Sequence, residues 1–252
     1  MRRRTGLRIP RQTPLGYAAR QRVKYVFQGN EEPAVMQDLG LFSSLGEAWV
    51  AVLHTIYRQG AAVTYTDNTG ECAEAKEIFG LTFAVSDASL PDAIIERHKV
   101  QEEYDWMVRN FTVQERVKEL HNETSYASRL FSYMGQKDQM QWVIRRLNET
   151  PHTRSAAITT FEPLTDEGYI PCVSLLDFQE EDGNLNLTVY CRALDFGCKA
   201  YINLVMLQTI LQTVSEQTGM PRGRMTLLVK SAHYYRKDET KVLGILKAEG
   251  AV

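Results

Sequence analysis

The chain has 252 residues, 44% of them hydrophobic, enough to bury a substantial core in a single domain of mixed class. Its 29 Lys and Arg against 31 Asp and Glu leave a formal charge of -2, which gives no support to wholesale nucleic-acid binding. No apolar run reaches the roughly eighteen residues of a membrane span, and the N-terminus lacks the apolar centre of a signal peptide, so the expectation is a soluble cytoplasmic protein. The four cysteines, Cys72, Cys172, Cys191 and Cys198, form no CxxC pair and share no metal-ligand spacing with the five histidines. Neither a zinc site nor a disulfide framework is indicated.

Residues 1 to about 40 carry Arg2, Arg3, Arg4, Arg8, Arg11, Arg20, Arg22 and Lys24 before the first acid, Glu31, and are punctuated by Pro10, Pro14 and Pro33. This reads as a basic arm, mobile or draped on the surface, with a phosphate-contacting arm as the alternative. The prolines argue against an amphipathic transit helix. Residues 41–252 read as one domain. Leu45, Ala48, Trp49, Val52, Leu53 and Ile56 follow the helical period, with Ser43 or Ser44 as N-cap and Gly60 as the stop. Ala62 to Tyr65 reads as strand, Asp67-Asn68-Thr69-Gly70 as a turn and Ile78 to Val85 as a second strand. Ile94 to Val108 is helical by content, and Met140, Val143, Ile144 and Leu147 mark an amphipathic helix from Asp138 to Leu147.

Cys172 follows Pro171 directly and opens an alternating run, Val173, Leu175 and Asp177 against Ser174, Leu176 and Phe178, which puts it at the start of a strand. A cysteine there is either a small buried apolar residue or a nucleophile. Beyond it come a turn at Asp182-Gly183-Asn184, a strand ending Tyr190-Cys191-Arg192, and a long apolar helix from Leu204 to Gln217 that Asn203 could cap. His233 lies within Ala232-His233-Tyr234-Tyr235, where it could be a simple satisfied polar group on a strand.

In order and spacing, Pro171-Cys172, Arg192, Asp195, Asn203 and His233-x-Tyr235 resemble the thymidylate synthase superfamily. The resemblance implies an α/β fold with a large, mixed, mostly antiparallel sheet, helices on one side and a dimer interface made by the strands. It also implies a homodimer with shared active sites, a pyrimidine nucleoside monophosphate as substrate and 5,10-methylenetetrahydrofolate as donor, without a metal. In that frame Cys172 adds to carbon 6 of the pyrimidine so that carbon 5 can attack a one-carbon unit. A free thiol with a pKa of about 8.5 needs a nearby cation, and Arg192 is expected to supply it while binding phosphate. Asn203 pairs with the base and leans towards uracil over cytosine; His233 and Tyr235 hold the sugar hydroxyl, and Asp195 touches the folate ring. Glu103, in Glu102-Glu103-Tyr104-Asp105-Trp106, matches the carboxylate that organises water and protons, the alternative being a solvated helix face. Tyr126 matches a tyrosine lining the active site, and Arg154 matches an arginine that reaches the phosphate held by the other subunit.

The departures are as specific as the matches. The loop Asp67-Asn68-Thr69-Gly70 lacks the family's phosphate-closing arginine, and Ser155 stands where a second cross-interface arginine is usual. Val173, Cys191, Ala193 and Lys199 replace a histidine, a glutamine, a serine and a glycine, and a reduced segment after Tyr235 suggests a smaller lid over the donor. With less exclusion of water, a hydroxymethyl product becomes an alternative to a methyl product. The competing expectation is a member of the superfamily that has lost folate chemistry and binds nucleotides as a regulatory module.

Overall fold

The computed structural model describes residues 36–66, 72–86, 89–120 and 122–252. The basic arm before residue 36 and the turn Asp67 to Gly70 lie outside them. In chain order the elements are β1 (Gln37–Phe42), α1 (Leu45–Gln59), β2 (Ala61–Thr66), β3 (Cys72–Val85), α2 (Ala93–His98) and α3 (Gln101–Thr112). Next come the two-residue strands β4 (Arg116–Val117) and β5 (Glu123–Thr124), then α4 (Tyr126–Phe131), α5 (Gln139–Glu149) and β6 (Ala157–Thr159). The remainder is β7 (Val173–Glu181), β8 (Asn184–Cys191), β9 (Leu194–Asp195), α6 (Ala200–Thr218), β10 (Arg222–Tyr235) and α7 (Glu239–Ala248).

Eight strands form one mixed sheet in the order β1-β3-β10-β8-β7-β6, with β2 beside β1 on the same edge of β3 and β9 beyond β8 along β10. β3 with β10, β7 with β8, β6 with β7 and β2 with β3 run antiparallel; β1 with β3, and β8 and β9 with β10, run parallel. The sheet is therefore mixed and mostly antiparallel, as the resemblance implies. β1 starts at Gln37, so residues 37–40, expected within the arm, belong to the sheet instead, because Gln37 and Asp38 pair with Leu81 and Thr82.

Alternation sorts the strands into a covered and an open face. Leu185, Leu187 and Val189 of β8 and Met225, Leu227 and Val229 of β10 are buried towards the helices. On the other face Leu175, Tyr190 and Leu228 lie directly opposite one another across three strands, with Leu175 39% and Tyr190 37% exposed. Thirteen of the nineteen residues of α6 are buried, which makes it the central helix of the covered side rather than a surface helix with one apolar stripe. Leu204, Leu207 and Leu211 are fully buried, each contributing about 2 kcal/mol of transfer free energy.

Local signals explain most of the boundaries. Ser44 caps α1 by accepting the Glu47 N–H, and the helix stops at Gly60, whose N–H donates to Ile56 O at 2.8 Å. Asp138 caps α5 in the same way through Gln141 N–H. The single helix expected from Ile94 to Val108 is instead α2 and α3, broken at Lys99 and Val100, which are both extended. Val100 N–H donates to Tyr201 Oη at 3.1 Å rather than continuing the helical ladder. Asn203 does not cap α6; the helix begins a turn earlier, at Ala200, and contains Asn203.

Candidate active site

The segment leading to Cys172 is fixed from below. Arg129 in α4, 1% exposed, makes a two-pronged contact with Asp166 at 2.7 and 2.8 Å and donates to the Thr160 and Thr124 carbonyls. Thr160 Oγ1 in turn donates to Val173 O. Tyr126, the first residue of α4, is buried and stacked on Phe111 at 4.4 Å, and its hydroxyl accepts the Val173 N–H at 3.0 Å. Tyr126 therefore does not line an open surface; it holds the peptide immediately after Cys172.

Cys172 is half-buried at the start of β7, with Arg192 Nη2 at 4.0 Å from its Sγ. The Arg192 guanidinium is anchored by Nε and Nη2, which donate to Ile170 O at 2.8 and 2.6 Å, leaving Nη1 for a further acceptor. Burial pushes the Cys172 thiol above its ordinary value; Arg192 and Lys199 pull it back and Asp195 adds to the rise. Arg192 therefore pulls in the direction expected of it, towards the thiolate, while desolvation pulls the other way and outweighs it.

Past β8 the chain breaks at Arg192 and Ala193 and rejoins the sheet as β9, where Asp195 pairs in register with His233. Asp195 accepts the Gly197 and Cys198 N–H groups, yet burial and the charge of Asp238 raise its carboxyl to about 7. Gly197 is required here, because a Cβ would lie 2.9 Å from the Tyr234 Cβ. Trp49 of α1 supports this turn by donating from Nε1 to Phe196 O at 2.8 Å. Lys199 Nζ lies 5.5 Å from the centre of the Trp106 ring, and its charge is felt by Cys172, Asp195 and Cys198. The Cys198 thiol hydrogen-bonds Glu103 and is pushed up to about 12 by burial, by Asp195 and by Glu103. Glu103, in the first turn of α3, is 30% exposed, with Lys241 Nζ of α7 at 3.5 Å.

Asn203, 4% exposed, donates from Nδ2 to Lys199 O at 3.0 Å, and its buried Oδ1 has no hydrogen-bond partner among the described residues. His233 is buried and its pKa is lowered, chiefly by burial, so its ring is neutral near pH 7 and offers a donor and an acceptor. Tyr235 meets the His233 ring edge-on at 5.4 Å and hydrogen-bonds Tyr65, whose hydroxyl burial pushes upward.

Cys172, Arg192, Asp195, Glu103, His233 and Tyr235 thus form one chain of neighbours, with Asn203 a turn from Lys199. Arg154 is exposed ahead of β6 and stands apart from them. Ala157 pairs with Asp177, five residues beyond Cys172 along β7, roughly 17 Å at about 3.3 Å per residue. Tyr65, Trp106 and Glu77, opposite His233, join the cluster without having been singled out in the sequence. Only their positions at strand ends and on a helix face hinted at it. Among the described residues no His, Cys, Asp and Glu cluster could hold a metal, and no helix is long and apolar enough to cross a membrane.

Residues 55–250 match the sequence profile of the family described as thymidylate synthase. Proteins named "Putative thymidylate synthase" in Methanococcoides burtonii and Methanosarcina mazei are 28% and 29% identical over 209 and 210 residues, spanning 81% of this chain and 92% of each relative. The solved structure of thermostable thymidylate synthase A from Bacillus subtilis superposes with a TM-score of 0.62 at 14% identity, covering 81% of this chain and 84% of that one, which is a likeness of fold. With the profile running from α1 to the C-terminal helix, across the strands that carry Cys172, Arg192 and His233, the chain belongs to the thymidylate synthase family.

Proposed function

We propose that the protein transfers a one-carbon unit to carbon 5 of a uridine or cytidine monophosphate through a covalent Cys172 adduct. The observation that carries the reading is the pairing of a strand-leading thiol beside an anchored guanidinium with a buried, unpartnered amide oxygen on Asn203. A buried acceptor left without a donor costs about 1–3 kcal/mol, and the N–H of a uracil ring or the amino group of cytosine would relieve it. Nη1 of Arg192 is free for the phosphate, while neutral His233 with Tyr235 suits a sugar hydroxyl.

Once the phosphate and base are seated, the Cys172 thiol gives its proton to water, Sγ adds to carbon 6 and carbon 5 becomes the nucleophile. Glu103, beside Cys198, organises water and the proton that must leave carbon 5, and Cys172 departs when the product ring is restored. Tyr126 keeps Sγ on its line of approach by holding the Val173 N–H. The donor side is bounded by the flat Trp106 ring and by Asp195, whose carboxyl, near pKa 7, can donate or accept. These residues suit a reduced pterin such as 5,10-methylenetetrahydrofolate, and they would hold it. That group, when bound, would supply the one-carbon unit and, for a methyl product, the hydride that reduces it. The active form we infer is a homodimer, with Arg154 directed to the nucleotide of the second copy.

The resting thiol and the lysine facing Trp106 favour a second reading, a nucleotide-binding regulator without transfer chemistry. Incubation with the ribo- and deoxyribonucleoside monophosphates of uracil and cytosine, with and without methylenetetrahydrofolate, separates the two. We expect a folate-dependent gain of a methyl or hydroxymethyl group by mass, lost in Cys172→Ala. Nucleotide binding without any product in the native protein would replace the transferase by the regulator.

A further inference from the structure

α7 buries Val242, Ile245 and Leu246 and is tied down at both ends. At its start Glu239 accepts from Tyr234 Oη at 3.4 Å and from Arg236 Nη1 at 3.0 Å. At its finish Glu249 meets Arg97 Nη2 at 2.8 Å and His98 Nε2 at 2.7 Å, which straps the helix to α2, just upstream of α3. A helix held in this way delivers its side chains to fixed points. Asp238, the residue before α7, and Lys241, three positions on, share one face of the first turn. Both reach the residues around Cys172: the charge of Asp238 acts on Asp195, and Lys241 Nζ stands 3.5 Å from Glu103 Oε2.

A lysine and a glutamate at 30% exposure each could be an ordinary surface ion pair, and such pairs contribute little. Two observations set this one apart. Although the Glu103 side chain is partly exposed, its Oε2 atom is buried and has no hydrogen-bond partner among the described residues. Lys241 therefore lies close enough to balance the charge without taking up the oxygen. Buried acceptors in that state are rare in native folds, and the others on side chains among the described residues, Asn203 Oδ1 and Asp238 Oδ2, belong to the same neighbourhood. The second observation is that the Cys198 thiol hydrogen-bonds the same carboxylate, so Glu103 is gripped by two elements besides its own helix.

We propose that Lys241 is a positioning residue for Glu103: its ammonium, delivered by α7, fixes the carboxylate against Cys198 and leaves Oε2 available as an acceptor. A carboxylate that must receive and return a proton through water needs an oxygen that is both held in place and open to that water. This use of Glu103 rests on the transferase reading; the hold of Lys241 on the carboxylate does not.

The test reads the Cys198 S–H stretch by infrared in the full-length chain, as the difference between each protein and the same protein carrying Cys198→Ala. A thiol that donates to a carboxylate absorbs at lower frequency than a free thiol, so the native band is expected to be displaced downward. In Lys241→Met the band should return towards the free-thiol position, as it does when Glu103→Ala removes the acceptor, while Lys241→Arg, which keeps the charge, should hold the native band. In turnover with nucleotide and methylenetetrahydrofolate, Lys241→Met should lower kcat about tenfold or more with KM for the nucleotide within about twofold, and Lys241→Arg should restore most of the loss. Circular dichroism checks that each variant is folded, and Lys241→Gln replaces Lys241→Met if that one is not. A native band already at the free-thiol position, a Lys241→Met band that coincides with the native one, or a Lys241→Arg band that matches Lys241→Met overturns the proposal whatever the turnover. So does a displaced band with unchanged kcat in an active enzyme. If the native chain makes no product, the transferase reading falls and the band alone decides whether Lys241 holds Glu103.

Discussion

Cys172 shows how little a cysteine's reactivity follows from its chain neighbours. Its cation is present, Arg192 Nη2 at 4.0 Å, yet that guanidinium is largely committed to Ile170 O and burial dominates. With the thiol raised above its ordinary value, the thiolate fraction at pH 7 is small and grows as pH rises through and beyond the usual thiol range. Alkylation of Cys172 by iodoacetamide, followed by peptide mass, should therefore be slow near neutrality, with its midpoint displaced upward from about 8.5. Because Arg192 is among the groups pulling the value down, Arg192→Gln should move the midpoint higher still. A native midpoint below about 8 would show that the cations outweigh desolvation.

Among the elements, the loop between β6 and β7 depends on α4 for its shape. Arg129 and Asp166 are both nearly inaccessible and meet through two parallel hydrogen bonds, while Arg129 also takes the Thr160 carbonyl beside β7. Removing one partner of such a pair strands the other charge in a low-dielectric interior, at a cost of about 3–5 kcal/mol. Asp166→Ala is expected to lower stability by about that amount in urea unfolding. Asp166→Leu combined with Arg129→Met should recover part of it and not all, since two packed apolar groups remove the Arg129–Asp166 charges together while buried Glu162, 4.0 Å from Arg129, loses its cation. An unchanged urea midpoint in Asp166→Ala would mean that the pair is not what fixes the loop.

For the whole molecule, the open sheet face is the feature that a monomer leaves unexplained. Leu175, Tyr190 and Leu228 line up across β7, β8 and β10 with no helix over them among the described residues, while the opposite face is packed on α1 and α6. Partly apolar sheet surface of this kind suits pairing with a second copy. Sedimentation velocity is expected to give twice the chain mass for the native protein and a shift towards the single chain for Tyr190→Glu, which sets a charge against its equivalent surface. A native protein that sediments as one chain at micromolar concentration would remove both the dimer and any role for Arg154 in a second copy's site.

Much of this was written locally. The helical period of α1 between Ser44 and Gly60, the alternation of β7 after Pro171-Cys172, and the order of Arg192, Asp195, Asn203 and His233 are properties of short stretches, so the fold and the candidate residues around Cys172 were legible in the sequence. What the sequence could not carry was set by contacts between distant residues. The break between α2 and α3 has no proline or glycine to announce it and depends on Tyr201 taking the Val100 N–H. Asn203 falls inside α6, not before it, and is left with an empty acceptor. Tyr65 and Trp106 join the site from β2 and α3, and Asp195 is held near neutrality by burial and by Asp238, a residue more than forty positions away. Periodicity and caps depend on neighbours along the chain, whereas burial, charge coupling and the sharing of a cleft depend on neighbours in space. Only the tertiary structure decides those.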